Sequence, residues 1–259
     1  MSVAWASTYT WRDRLSEWGQ LLFASRGMMT VYTDAGLWVI PAHQAVWVPP
    51  DVQHSVEVAG GVAMRSLYLS QALGESVRRR LPDTCRVVEI SPLLREVLRR
   101  TMRLQTLDRR IAEQRHLLDV LLDELTVLPL TPLDLPIPRD PRGARAAALI
   151  RAEPAGHHTL AEVARASAAS PRTLERLFRS ETGLPFGVWR QRARLLRALQ
   201  LLAGGDTVAE AANAVGYEST SAFVAAFRRA LGTTPGQYFK KAAVEEDEEE
   251  PAVEQPRGE

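Results

Sequence analysis

Residues 169–183 read ASPRTLERLFRSETG, and residues 218–232 read ESTSAFVAAFRRALG. Aligned without gaps, the two stretches share serine at Ser170 and Ser219, a bulky apolar residue at Leu174 and Phe223, phenylalanine at Phe178 and Phe227, arginine at Arg179 and Arg228, and glycine at Gly183 and Gly232. Each shared position has a helical role. A serine oxygen accepts from the unpaired amides of a first turn. Apolar residues four apart lie on one face, and glycine closes the C-terminus in a left-handed conformation. Both copies follow a similar run, LAEVA (160–164) or VAEAA (208–212), that begins ten or eleven residues before the capping serine. A short helix, a tight turn and a capped second helix make a helix-turn-helix unit, so the spacing predicts two of them.

The flanking sequence is helical in pattern throughout. Asp140-Pro141 predicts an N-cap with proline in the first turn, opening a helix to about Ala152. Thr159 with Glu162 three residues on predicts a capping box before Leu160, and Ser170-Pro171 opens the third helix. A fourth, arginine-studded helix is expected from about Phe186 to Ala203, ahead of the Gly204-Gly205-Asp206 break. As a helix that segment spans roughly 27 Å at 1.5 Å per residue. That approaches the ~34 Å of one DNA turn, so one chain could present two second helices to successive major-groove segments.

Charge supports a polyanionic partner. Residues 1–138 carry 15 Lys/Arg and 15 Asp/Glu, residues 139–243 carry 16 against 8, and residues 244–259 carry 1 against 8. A neutral half, a basic half of net +8 and an acidic tail therefore follow in order. The tail, containing EEDEEE, has a solvated composition; it either aids solubility or competes with nucleic acid for the basic face. A single cysteine, Cys85, excludes an internal disulfide and a thiolate-rich metal cage. The N-terminus MSVAWASTYTWRDR lacks the order of a secretory signal, and no long uncharged apolar run is present, so a cytoplasmic chain without membrane partners is expected.

Between residues 20 and 69 the runs QLLFAS, MMTVYT, GLWVIP, AVWVPP and VAMRSLYL read as short strands of a small sandwich or barrel, separated at Arg26-Gly27, Asp34-Ala35-Gly36 and Gly60-Gly61. Apolar residues at Leu93, Leu94, Val97, Leu98 and Met102, and at Ile111, Leu117, Leu118, Leu121, Leu122 and Leu125, predict a pair of amphipathic helices. The five prolines of PLTPLDLPIPRDP (129–141) stiffen a connection and mark a boundary. The expected fold class is α+β in two domains. The expected division is a β-barrel sensor and dimerisation domain at 1–128, a Pro-rich linker at 129–139, an all-α DNA-binding domain at 140–243 and an acidic tail at 244–259.

Residues 140–240 resemble the DNA-binding domain of the AraC/XylS family of transcription regulators. The resemblance is carried by Ala211-Ala212-Asn213-Ala214-Val215-Gly216-Tyr217-Glu218-Ser219, by Phe223 and Phe227-Arg228-Arg229, and by Gly232-Thr233-Thr234-Pro235-Gly236-Gln237-Tyr238. It implies base contacts from Arg172, Glu175 and Arg176 in the first unit and from Thr220, Ser221, Val224 and Ala225 in the second. Arg172 has a phosphate contact as its alternative, and Glu175 an intrahelical pair with Arg172 or Arg179. Arg179, Arg190, Arg228 and Arg229 are candidates for phosphate contacts or simply a solvated face. One departure stands in the first turn, where the family usually has glycine and this chain has Ala168.

The strand region resembles the cupin-like sensor of such regulators, through Trp18-Gly19-Gln20-Leu21 and through Val46-Trp47-Val48-Pro49-Pro50-Asp51-Val52-Gln53-His54, where Asp51 replaces a motif glycine. Metal-binding cupins need two further histidines, and the matching positions hold Arg14 and Ser16, so neither a metal nor another cofactor is expected. Trp18, Tyr32, Trp38, Trp47, His54 and Tyr68 are candidates for lining a small-molecule pocket, with ordinary core packing as the alternative. The implied function is a regulator that binds double-stranded DNA in response to a cytoplasmic small molecule and controls a neighbouring transporter or efflux gene. It is expected to be no enzyme, to be a homodimer through helices within 91–127, and to have RNA polymerase as a further candidate partner. Its rivals are a ligand-independent DNA-binding regulator and a metal-dependent cupin enzyme tethered to DNA.

Overall fold

The computed structural model describes residues 2–5, 9–12, 18–70, 80–127 and 134–244. Arg14, Ser16, residues 129–133 and the tail after Val244 lie outside the described residues. Among the described residues eight strands form one antiparallel sheet: β1 Ser2–Trp5, β2 Tyr9–Arg12, β3 Trp18–Thr33, β4 Gly36–Pro41, β5 Gln44–Val48, β6 His54–Ser70, β7 Arg86–Glu89 and β8 Asp134–Pro136. The expected strand breaks at Arg26-Gly27 and Gly60-Gly61 do not occur. β3 and β6 run through these points as paired strands of 16 and 17 residues, with register shifts between Ala24 and Met28. Gly27, at φ 79°, supplies the left-handed residue of this irregularity, which bends the strand instead of ending it.

The bend divides the sheet into two leaves that share β3 and β6. In one leaf the first half of β3 pairs with β5, and β5 with β7; in the other the second half of β3 pairs with β4, and β4 with β8. Strand alternation sends Leu22, Ala24, Val46 and Met64 of the first leaf and Met29, Val31, Ile40 and Val56 of the second into one shared apolar cluster. Each leaf also has an outer face. On the first, Leu21, Phe23, Ala45, Trp47 and Leu69 pack against two helices, α1 Pro92–Leu104 and α2 Ala112–Val127. Leu94, Val97 and Leu98 meet Leu118, Leu121, Leu122 and Leu125 there, so most of the leucine stripe covers the sheet. The turn that leads to β6 places Asp51 at φ 65°, the conformation for which the motif residue would be glycine.

Among the described residues seven helices follow: α3 Pro141–Ala152, α4 Leu160–Ala166, α5 Pro171–Thr182, α6 Phe186–Ala203, α7 Val208–Ala214, α8 Thr220–Leu231 and α9 Pro235–Val244. The first six match the expected segments, and all but α6, whose N-cap is Pro185, start behind a capping side chain; α9 lies outside the helices that the spacing predicts. The connection between the halves is also more than a spacer. Its residues Leu135 and Pro136 pair with Leu37 and Gly36, and Ile137 donates its amide to the Ala35 carbonyl at 2.9 Å. A Cβ on Gly36 would sit 2.6 Å from the Leu135 carbonyl oxygen, so only glycine admits this approach.

The second leaf's outer face docks on the helical half. Met28, Leu37 and Val39 share an apolar cluster with Ala146, Trp189, Ala193 and Leu196. The Gln200 amide donates to Thr30 at 2.8 Å, the Trp189 indole donates to the Pro136 carbonyl at 2.7 Å, and Arg192 pairs with Asp134 at 3.0 Å. Helix α6 therefore supports both helix-turn-helix units and carries the sensor.

Candidate nucleic-acid interface

Each unit is built by the same local chemistry. Thr159 and Glu162 form a reciprocal capping box at α4, and Thr207 and Glu210 form the same box at α7. In each box the glutamate accepts the threonine amide at 2.8 Å. These bonds hold both carboxyls below their usual range: for Glu162 chiefly the Thr159 amide, for Glu210 chiefly the Thr207 hydroxyl. The second helices start behind Ser170 and Ser219, whose hydroxyls accept from Thr173 and Ala222 amides at 3.1 and 3.2 Å. They end at Gly183 and Gly232, with φ 74° and 76°. Leu174, Leu177 and Phe178 bury one face of α5, and Phe223, Ala226 and Phe227 bury the matching face of α8. Burial of those faces leaves Arg172, Arg176 and Arg179 exposed on α5, and Thr220, Ser221, Ala225, Arg228 and Arg229 exposed on α8.

The turns of the two units differ. α4 ends in hydrogen bonds from Ala168 to Arg165 and from Ala169 to Ala164; α7 ends in the corresponding bonds from Gly216 to Asn213 and from Tyr217 to Ala212. Ala168 and Gly216 therefore occupy one structural position, at φ 55° and 79°. From there to the capping serine the second unit has one more residue. Alanine in this conformation costs on the order of 1 kcal/mol.

The second unit's candidates come together. Thr220, Ser221, Val224, Ala225, Arg228 and Arg229 line one concave surface of about 730 Å³ with Thr234. In the first unit, Arg172 and Arg176 stand exposed at the start of α5, while Glu175 is half-buried. Glu175 accepts the Phe186 amide at 3.4 Å, which caps the start of α6; the intrahelical pair was the expected alternative. Arg190 is also engaged, donating to the His158 carbonyl at 2.8 Å with its guanidinium 5.8 Å from the Phe186 ring centroid.

Arg194, four residues on, donates to the Pro154 and Gly156 carbonyls at 2.8 and 3.2 Å, and burial pushes its pKa down. The loop held by these two arginines touches the second unit, where a Cβ on Gly216 would lie 2.8 Å from the Ala155 Cα. Helix α6 thus fixes the spacing of the two units through this loop. The sequence trace of that role is Arg190 and Arg194, four residues apart and so on one helix face.

The six candidate pocket residues do not converge. Trp38 belongs to the cluster between the leaves, and Trp47 points outward over Gly19, donating its indole N–H to the Pro82 carbonyl at 2.9 Å. Tyr32 lies on the outer face of the second leaf, donating to Glu57 at 2.7 Å; burial, then that bond, pushes its hydroxyl up to about 12. Tyr68 accepts from the Gln20 side chain at 3.1 Å, the same amide that reaches Ser66 at 3.1 Å. His54 Nδ1 lies 3.1 Å from the Val52 carbonyl, and Trp18 is 41% exposed. Among the described residues no group of three or more His, Cys, Asp or Glu is placed to hold a metal, and no helix is long and apolar enough to cross a membrane.

Comparison with known proteins agrees with both halves. Residues 5–120 match the family described as AraC-like ligand binding domain, and residues 163–241 match that described as Helix-turn-helix domain. The chain is 37% identical over 223 residues to the HTH-type transcriptional regulator NimR of Escherichia coli (strain K12), covering 86% of this chain and 80% of that protein. It is 40% identical over 104 residues to the HTH-type transcriptional regulator RipA of Corynebacterium glutamicum, covering 40% of this chain and 31% of RipA. Among solved structures, the DNA-binding domain of AdpA in complex with a target DNA is 30% identical and covers 42% of this chain and 99% of that one, with a TM-score of 0.39.

Proposed function

We infer the role of this chain from one premise: it belongs to the AraC family of helix-turn-helix transcription regulators. It is a DNA-binding regulator whose N-terminal half is an AraC-like ligand-binding domain. We propose that a small molecule bound by that half alters how the two units engage a promoter. The observation that carries this reading is the shared helix: α6 joins the units, and the sensor leaf rests on it through Gln200 and Thr30 at 2.8 Å. A ligand that moves the leaf then bears directly on the relative placement of the units.

In this reading Arg172, Arg176, Thr220, Ser221, Val224 and Ala225 face bases, while Arg179, Arg228 and Arg229 face phosphates. Glu175 and Arg190 combine any DNA contact with the structural bonds described above. The regulated genes include a neighbouring transporter or efflux gene, and the chain acts in the cytoplasm, in contact with RNA polymerase. It pairs through α1 and α2, where Leu93 and Val120 remain 53% and 38% exposed after the leucine stripe is buried, with Ile111, just before α2, 44% exposed. An enzymatic role is disfavoured because Arg14 and Ser16 stand where a metal-binding cupin needs imidazoles.

Fluorescence anisotropy on DNA from upstream of its own gene and its neighbour, against scrambled DNA in a salt series, tests this function. Native DNA should bind at least ~1,000-fold tighter. Equal, steeply salt-dependent binding to both would reduce the contact to electrostatics. Operator affinity indifferent to every metabolite tried would favour the ligand-independent alternative.

A further inference from the structure

We propose that the cleft between the second sensor leaf and the helical half is a binding site for a small organic carboxylate with an apolar body. The cleft has a volume of about 560 Å³, within the range of small-molecule sites. Its sensor wall carries Tyr32 and Leu37, and its opposite wall carries Arg151, Leu196, Arg197 and Gln200. This is a site apart from the cluster between the leaves, which is filled by apolar side chains.

The two arginines define the ligand's charge. Both are exposed, and among the described residues no carboxylate pairs with either. Arg151 lies 5.5 Å from the Tyr32 ring centroid, and Arg197 makes a long 3.3 Å bond to the Gln200 amide oxygen. Guanidinium groups on a concave wall favour a planar anion that accepts two N–H bonds at once. Two acids, Glu57 and Asp206, line an adjoining cavity with Arg197, and Glu57 already accepts the Tyr32 hydroxyl at 2.7 Å. The cleft's own lining holds these two cations and no acid, which suits an anion. Ala148, Ala152, Pro154 and Leu201, which keep exposed surface in the cleft, supply the apolar contacts for the rest of the molecule.

Position gives the site a consequence. Arg151 ends α3, Arg197 lies on α6, and Ala214 at the cleft edge ends the first helix of the second unit. A bound molecule would touch the sensor, the shared helix and the second unit together. Its binding energy would favour the docked arrangement over any in which the leaf has lifted.

The test is calorimetric titration of the full chain with 4-phenylbutyrate and, in parallel, with the neutral 4-phenylbutyramide. The carboxylate should bind about ten-fold or more tightly than the amide, since a charge-assisted bond is lost. Arg151→Gln and Arg197→Gln should each weaken it by about the same factor, and both change exposed residues. Glu57→Gln should tighten it. Absence of binding, equal binding of acid and amide, or binding indifferent to both arginines would overturn the site. Its regulatory consequence rests on the ligand-controlled function proposed above, and the titration is made without DNA. Arginine-dependent binding that leaves operator affinity unchanged would therefore refute that function and leave the site standing.

Discussion

Ala168→Gly should stabilise the protein, while Gly216→Ala, at the same point of the second repeat, should destabilise it severely. At φ 55° Ala168 holds a left-handed backbone that costs an L-residue about 1–2 kcal/mol. Glycine removes that strain but adds about 0.4–1 kcal/mol of unfolded-chain entropy, so the net gain is roughly 0.5–1 kcal/mol. At Gly216 the same backbone cost applies, and the new Cβ would lie 2.8 Å from Ala155 Cα and 3.0 Å from its carbonyl oxygen. Both atoms are backbone, in a loop tied down by Arg190 and Arg194, so overpacking adds about 1–3 kcal/mol. The two substitutions should differ by roughly 2–5 kcal/mol. Gly183→Ala and Gly232→Ala isolate the backbone part, because nothing lies within 4 Å of an added Cβ at either; each should cost about 0.5–1 kcal/mol. Urea denaturation of the full chain by circular dichroism, with amide exchange at Ala169 and Tyr217 to localise the effect, gives all four values. A neutral or destabilising Ala168→Gly would refute the idea that the first turn stores this strain.

Gly36→Ala would force the linker strand off β4, so the Ile137 amide, now bonded to Ala35, should lose exchange protection; unchanged protection would mean that the strand yields without unpairing. Arg176→Ala should weaken operator binding by about 1–3 kcal/mol and relax one base position, whereas uniform loss on every sequence would assign the residue to phosphate. Deleting residues 245–259 should raise nonspecific DNA affinity at low salt if the acidic tail competes for the basic face. Unchanged affinity in the same anisotropy assay would leave the tail as a solubility device.

What could be read from the chain follows the range of the interactions involved. The starts at Pro141, Leu160, Pro171 and Thr220 match because Asp140, Thr159, Ser170 and Ser219 cap them within three residues. Gly27 and the Gly60-Gly61 pair misled because glycine permits a bulge as readily as a strand end. β8 escaped notice because it exists only against the edge of β4, and proline content alone reads as a spacer. The inward turn of Trp38 and the outward turn of Trp47 depend on register with β3, which strand alternation within one segment does not supply. The recognition helices were legible as repeats, yet the attachment of Glu175 to Phe186 and of Arg190 to His158 is nonlocal.

The central claim, that one chain reads two successive major-groove segments, is tested most directly by selecting preferred sites from random DNA with the full protein and with two variants. The native protein should enrich two clusters of fixed bases separated by about one helical turn, roughly 10 base pairs. The pair Arg172→Ala and Arg176→Ala should relax one cluster, and the pair Ser221→Ala and Val224→Ala the other. A single cluster that both variants relax alike would contradict the account.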